Sequence, residues 1–324
     1  VNDVAAAAAA AGAARPSGAE NNFDFLRMLA ATGVLVSHSY PIWGRRPDPL
    51  QLVMAGVPIG EVAVSVFFVI SGYLVCQSWL SDPHPGRYIA RRALRLCPAL
   101  YLMILVAVFA AGPLLTALPA AAYWSSPMTW DYLKGFGIFW VQGSLPGVFG
   151  ESFYPLAFNG PLWTIRIEAA CYIVLMGLGV AGVLQSRFFV VVLALSCIAA
   201  FLALSAAGAK ASVLHMDVVS LSRLGALFFS GAALYKCRDL VPRLPMVAVL
   251  LLGLIFAVAG TRWFNAVFQL AFPYAVLCLA LTPVSWLSRF GKYGDYSYGT
   301  YLYAWPVQQA VMEAWGRHLS LWAY

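Results

Sequence analysis

Charge is scarce in this sequence. Asp, Glu, Lys and Arg together make up 10% of its 324 residues, against about 25% in ordinary soluble domains. Hydrophobic residues make up 62%, and the mean hydropathy is +0.78, which excludes both a water-soluble globular domain and a disordered chain. Paired cysteines are also lacking. Cys76, Cys97, Cys171, Cys197, Cys237 and Cys278 stand singly within or at the ends of apolar runs, so neither a disulfide framework nor a thiolate metal site is expected and they read as small apolar fillers. The four histidines show no ligand spacing with each other or with cysteine, and no metal is expected. The net charge of +7 is not gathered on a soluble face, so nucleic acid is excluded as a partner. Residues 1–21 are an Ala-rich, low-complexity tail expected to be disordered, without the basic segment and long apolar run of a signal peptide.

What the chain has instead is a series of apolar runs long enough to cross about 30 Å of hydrocarbon. They lack the two-residue alternation of barrel strands, so an all-α, polytopic transmembrane helix bundle is expected over residues 22–324. Spans are predicted near 24–43, 59–80, 96–118, 161–182, 188–206, 219–236, 245–261, 264–284 and 296–314, with a long connection over 119–160. That gives nine crossings, about nine to ten in all, while the aromatic segment TWDYLKGFGIFWVQG at 129–143 is expected to form an interfacial or re-entrant helix instead of a plain loop. With the first connection outside, ten basic residues fall in the inner loops (Arg87, Arg91, Arg92, Arg95, Arg187, Lys236, Arg238, Arg243, Arg289, Lys292). Six fall outside (Arg45, Arg46, Lys134, Lys210, Arg262, Arg317). The positive-inside tendency then puts the amino terminus in the cytoplasm.

Ionisable residues inside spans carry the functional information, since each costs about 2.5–3.5 kcal/mol at a helix centre on insertion scales. Arg27 and His38 share the first span. Eleven residues at 100° each return both to nearly one face, roughly 16 Å apart along the axis. Glu61 opens the second span, Arg166 and Glu168 lie in the fourth, and Arg223 lies in the sixth. Alternatives stay open for several of them. Arg27 also fits an inner-face anchor paired with Asp24 one turn earlier, and His38 fits a structural histidine at a helix end. The small pair Ser71-Gly72 serves helix packing as readily as chemistry.

Several segments resemble, in order, the acyltransferase-3 family of integral-membrane acyltransferases. FDFLRMLAATGVLVSHSYP resembles its opening, with Arg, ten residues, then His; FFVISGYLV at 67–75 is similar to its second-helix motif. RYIARRALRLCPALY at 87–101 resembles its basic inner loop, where Arg92 and Arg95 form an Arg-x-x-Arg pair. LWTIRIEAACY at 162–172 is similar to its Trp and Glu pattern, Arg223 with FFSGAAL to a later helix, and YSYGTYLYAWPVQQ at 296–309 to a final motif. Two departures stand out. Ala304 occupies a position where many members carry His, and the chain ends at Tyr324, ahead of the last helix the resemblance leads one to expect.

The resemblance implies transfer of an acyl group, often acetyl, from cytoplasmic acyl-CoA as co-substrate to a sugar hydroxyl of an envelope or secreted glycan, in a bacterial inner membrane. No permanently bound cofactor is implied. Within that frame His38 is expected as general base, with Glu168 orienting the imidazole and Ser71 meeting the oxyanion. Arg27, Arg87, Arg91, Arg92 and Arg95 are expected to receive the phosphates and polar groups of CoA, although positive-inside topology accounts for the loop arginines as well. Ser37 and Ser39 face away from His38 and are not favoured as nucleophiles. A transporter or flippase is the alternative class, since it also keeps Arg, His and Glu in spans.

Overall fold

The computed structural model describes residues 21–44, 47–150, 152 and 157–315. Apart from Asn21, the Ala-rich tail lies outside the described residues. Each of the nine predicted stretches carries a helix: α1 (Phe23–Ile42), α2 (Ile59–Ser81), α3 (Pro85–Val106), α4 (Trp163–Val180), α5 (Arg187–Ala206), α6 (Val218–Lys236), α7 (Pro245–Ala257), α8 (Phe264–Leu281) and α9 (Ser297–Trp315). The third helix begins eleven residues before the predicted span, because Pro85 pre-sets the first helical turn and the arginine-rich segment continues the helix. It then runs through a π-turn at Ala107–Ala111 to Leu115.

Six helical segments among the described residues are long and apolar enough to cross a membrane: those of α2, α3 with its extension, α4, α5, α6 and α8. The expected count of nine to ten is not reached on these criteria, for two physical reasons. Helix α7 has 13 residues, about 20 Å of rise, short of a hydrocarbon layer of about 30 Å. Helices α1 and α9 are long enough but too polar, α1 through Asp24, Arg27, Ser37, His38 and Ser39, and α9 through Gln308, Gln309 and Glu313. The 129–143 segment forms no crossing helix. It is built from a short helix, Pro127–Asp131, and a 3₁₀ stretch, Tyr132–Gly137.

The chain folds into two compact units. One comprises the described residues up to Arg27 with Val64–Leu96 and Ile167–Asp295; the other comprises Met28–Ala63, Cys97–Arg166 and the described residues from Tyr296 on. In the first, α5 packs on α6, α7 on α8, and α6 on α8. Asp217 caps α6, its carboxylate accepting from the Ser220 amide at 2.7 Å. The Asn22 side chain donates to the Leu279 and Thr282 carbonyls at 2.9 and 2.6 Å, tying the start of α1 to the end of α8. Apolar residues such as Phe188, Phe189, Val249 and Leu250 are exposed, as lipid-facing surfaces require.

The second unit is held by an apolar core in which Leu100, Met103 and Ile104 meet Tyr132, Phe149, Phe158 and Leu302. The 119–160 connection is therefore largely a packing element. Its fully buried Tyr123 donates to the Val108 carbonyl at 2.9 Å, meeting a backbone group in the π-turn of α3.

Helices α2 and α6 approach at two glycines. A Cβ on Gly72 would run into the Phe228 carbonyl, and one on Gly231 into the Val69 carbonyl. Both obstacles are backbone, which cannot swing aside. Gly72→Ala is therefore expected to lower stability by about 1–3 kcal/mol, seen as a drop of several degrees in the melting temperature of purified protein in detergent. Gly177→Ala in α4, where a Cβ meets nothing within 4 Å, is the control and should melt at or slightly above the parent temperature.

Candidate active site

Within the first unit the basic residues of α1 and α3 do not stand as a free cationic patch. Asp295 Oδ2 lies 2.8 Å from Arg95 Nη1 and 3.3 Å from Arg27 Nη1, and Asp24 adds a second carboxylate to Arg27 at 3.5 Å. Two carboxylates thus face two guanidiniums, all largely withdrawn from solvent. Asp24 is itself packed against Gly291, where a Cβ would collide with the carboxylate. Asp82, in the turn between α2 and α3, takes Arg87 through both carboxylate oxygens, at 2.5 and 2.9 Å, and Arg91 at 2.7 Å. Hydrogen bonds from Arg87 and Arg91 hold the Asp82 carboxyl well below the usual carboxylate range.

Arg92 is different. It has no carboxylate within ion-pair distance among the described residues, and its guanidinium carbon lies 5.6 Å from the centre of the Tyr172 ring and 6.0 Å from that of Tyr88. Its Nε is buried without a hydrogen-bond partner among the described residues. Tyr88 is fixed in turn, donating to the Tyr172 carbonyl at 2.9 Å and meeting Trp79 edge-on at 5.4 Å. One turn before Tyr172, Glu168 accepts a short hydrogen bond from the Tyr172 hydroxyl. Ser71 Oγ lies 3.1 Å from that hydroxyl and 3.4 Å from Glu168 Oε1. Ser71, Glu168, Tyr172 and Arg92 therefore form one polar group on α2, α4 and α3. The hydrogen bonds of Glu168 go to Ser71 and Tyr172, whereas the sequence pointed it at the imidazole.

His38 belongs to the second unit. Its ring meets Trp305 edge-on, centroids 4.8 Å apart, and its buried Nδ1 has no hydrogen-bond partner among the described residues. Its neighbours are committed elsewhere. Ser37 donates to Asp48 at 2.7 Å, and Ser39 donates to the Leu35 carbonyl at 3.1 Å while accepting from Gln308 Nε2 at 2.7 Å. Trp305 is anchored by its indole N–H on the Ala157 carbonyl at 3.0 Å. Outside these groups, Arg166 donates to the Val141 carbonyl, and Arg223 to Ser65 at 3.4 Å.

Three residues that reasoning from sequence passed over belong to these polar groups. Tyr172 follows Glu168 by four residues, the spacing that stacks side chains on one helix face, and that spacing was visible. Asp82 and Asp295 sit in turns between helices, where a carboxylate is unremarkable until its partners are known. Their roles depend on contacts 5 to 268 residues away in sequence.

The acyltransferase-3 family, described as an acyltransferase domain, matches residues 20–324. An O-acetyl transferase of Shigella phage Sf6 is 31% identical over 309 residues, covering 90% of this chain and 86% of that protein. Nodulation protein 10 of Rhizobium leguminosarum bv. viciae is 30% identical over 176 residues, 49% of this chain and 44% of its own length. Regulator of hypoxia-inducible factor 1 of Caenorhabditis elegans is 34% identical over 110 residues, 32% of this chain and 19% of its own length. No solved structure matches.

The Asp82 clamp makes a pH prediction. A carboxyl whose folded pKa is depressed contributes stability that is complete above its unfolded pKa, about 3.9, and is lost as pH falls through the lower folded value. Asp82→Asn should therefore melt below the parent by a margin that is constant above about pH 5, begins to narrow under about pH 4 and closes only as pH passes through the lower folded value. Melting curves from pH 7 to 2 check this; a margin as wide at pH 2 as at pH 7 would show that the ion pairs are not its source.

Proposed function

The chain belongs to the acyltransferase-3 family, and from that premise we propose that it moves an acetyl group from cytoplasmic acetyl-CoA to a sugar hydroxyl of an envelope or secreted glycan. The observation that carries the chemistry is the buried Nδ1 of His38, without a hydrogen-bond partner among the described residues. Buried polar atoms are mostly paired, so an open imidazole nitrogen calls for an explanation, and a proton-transfer role is the one this proposal gives it. A neutral imidazole with a free ring nitrogen is a proton acceptor near physiological pH. The Sf6 relative, named for O-acetyl transfer, supports acetyl as the group and oxygen as the acceptor atom.

In this proposal the sugar oxygen attacks the thioester carbonyl carbon while His38 takes its proton. The tetrahedral intermediate collapses with cleavage of the C–S bond, and the proton passes from the imidazolium to the departing thiolate, leaving an ester and the CoA thiol. Ser71, held by Glu168 and Tyr172, supplies a hydroxyl to the carbonyl oxygen as negative charge develops. Arg92 is the first guanidinium for a CoA phosphate, because it alone of the five assigned arginines has no carboxylate partner among the described residues. Arg87 and Arg91 would join it by exchanging Asp82 for phosphate, and Arg27 and Arg95, already neutralised by Asp24 and Asp295, would have a lesser share. The proposal includes nine to ten crossings of a bacterial inner membrane with a cytoplasmic amino terminus, in keeping with the ten-to-six distribution of basic residues.

The test is release of free CoA thiol by the full chain in nanodiscs supplied with acetyl-CoA and an acceptor glycan. His38→Ala should reduce turnover by about 100-fold or more, and full turnover in that variant would overturn the general-base assignment. Arg92→Ala should raise the KM for acetyl-CoA about tenfold with a smaller change in kcat, the loss expected for one charge-assisted hydrogen bond to phosphate. A parent protein that carries glycan across the bilayer without releasing CoA would instead identify a flippase.

A further inference from the structure

At one end of α6 and α8 the first unit contains a cleft of about 330 Å³, its open mouth included, and none of the residues assigned to acyl transfer lines it. Its walls are apolar, formed by Leu234, Val241, Leu277 and Leu281 with the rings of Tyr73 and Tyr274. Two cations, Arg238 and Arg243, stand on the same lining. We propose that this cleft binds an anionic phospholipid, its phosphate between Arg238 and Arg243 and the upper part of one acyl chain in the apolar slot.

Three observations support an amphiphilic anion as the occupant. First, neither arginine has a carboxylate within ion-pair distance among the described residues, and the adjacent Asp239 is taken by Arg187 at 2.6 Å. Second, the cations are held in position. Arg238 lies 4.4 Å from the centre of the Tyr235 ring and donates to the Tyr235 carbonyl at 2.9 Å; Tyr235 is itself braced edge-on by Tyr73 at 5.1 Å. The loop carrying Arg243 is pinned on both sides by one hydroxyl, since Tyr274 donates to the Pro242 carbonyl at 2.8 Å and accepts from the Leu244 amide at 3.1 Å.

Third, apart from the two arginines the lining is leucine, valine, proline, aromatic ring and Cys278, which favours hydrocarbon over water or a second phosphate. Two guanidiniums on an otherwise apolar cleft at helix ends suit a lipid phosphate with its chain attached, as basic pockets between membrane helices do elsewhere. Free inorganic phosphate would leave the apolar lining unused. The cleft contains none of the residues assigned to CoA or sugar, so a lipid there is expected to be a bound structural partner and not a substrate.

The experiment is native mass spectrometry of the full chain released from detergent after equilibration with phosphatidylglycerol or, separately, phosphatidylcholine. The parent protein should retain phosphatidylglycerol over phosphatidylcholine by about 30-fold, two guanidiniums each contributing about a factor of five near a membrane surface. R238A/R243A should lose that preference, R238K/R243K should keep most of it, and Leu277→Trp, which fills the slot and leaves the charges, should weaken retention of both lipids. Equal retention of phosphatidylglycerol by the parent and R238A/R243A overturns the proposal. So does displacement of phosphatidylglycerol by inorganic phosphate at comparable concentration, because the chain would then contribute nothing. Circular dichroism and melting curves of each variant establish that it is folded before its retention is scored.

Discussion

A guanidinium taken into an apolar bundle has to find a carboxylate or remain near water, and in the first unit Asp295 meets that requirement for two arginines at once. Its Oδ2 bonds Arg95 and Arg27, from different helices. The desolvation of each ion is several kcal/mol, and only close geometry with further hydrogen bonds recovers it. Asp24 supplies the second carboxylate to Arg27. The registers of α1 and α3 beside the turn before α9 are constrained by this pairing, since slipping either helix by one residue would turn its guanidinium to another face.

The same requirement sorts the arginines by availability. Four of the five assigned to the acyl donor are paired, those of α3 nearest its start with Asp82 in a turn, the others with Asp24 and Asp295. Arg92 rests on two aromatic rings instead. A ring face attracts a cation without neutralising it, so Arg92 keeps its charge where the paired arginines do not. Hydrogen bonding among Ser71, Glu168 and Tyr172 fixes one of those rings, which links the polar residues of α2 and α4 to Arg92 on α3.

Glycine has a separate part. The close contact of α2 with α6 uses positions where neither helix can carry a Cβ, and Ser71 is the residue immediately before one of them. The small pair read from sequence as either packing or chemistry therefore has an observed packing role at Gly72 and a polar network at Ser71. In the second unit, His38 is set by aromatic contact and by neighbours whose hydroxyls are already engaged. Its Nδ1 is left without a hydrogen-bond partner among the described residues.

The sequence alone determined the helical class, the positions of nine helices and the family, because hydrophobic run length and ordered motifs are properties of local composition. It also singled out His38, Ser71, Glu168 and the arginines as candidates, since ionisable and small residues are conspicuous in apolar runs. Helix boundaries were less legible: the arginine-rich start of α3 read as a loop because charge masks helix in a hydropathy profile. The pairings were left to the tertiary structure. Which carboxylate neutralises Arg27 and Arg95, why Arg92 is left over, and that Glu168 bonds Tyr172 and Ser71 depend on which helices lie side by side. A linear sequence encodes that only through the sum of many weak packing energies, which no single spacing or motif records.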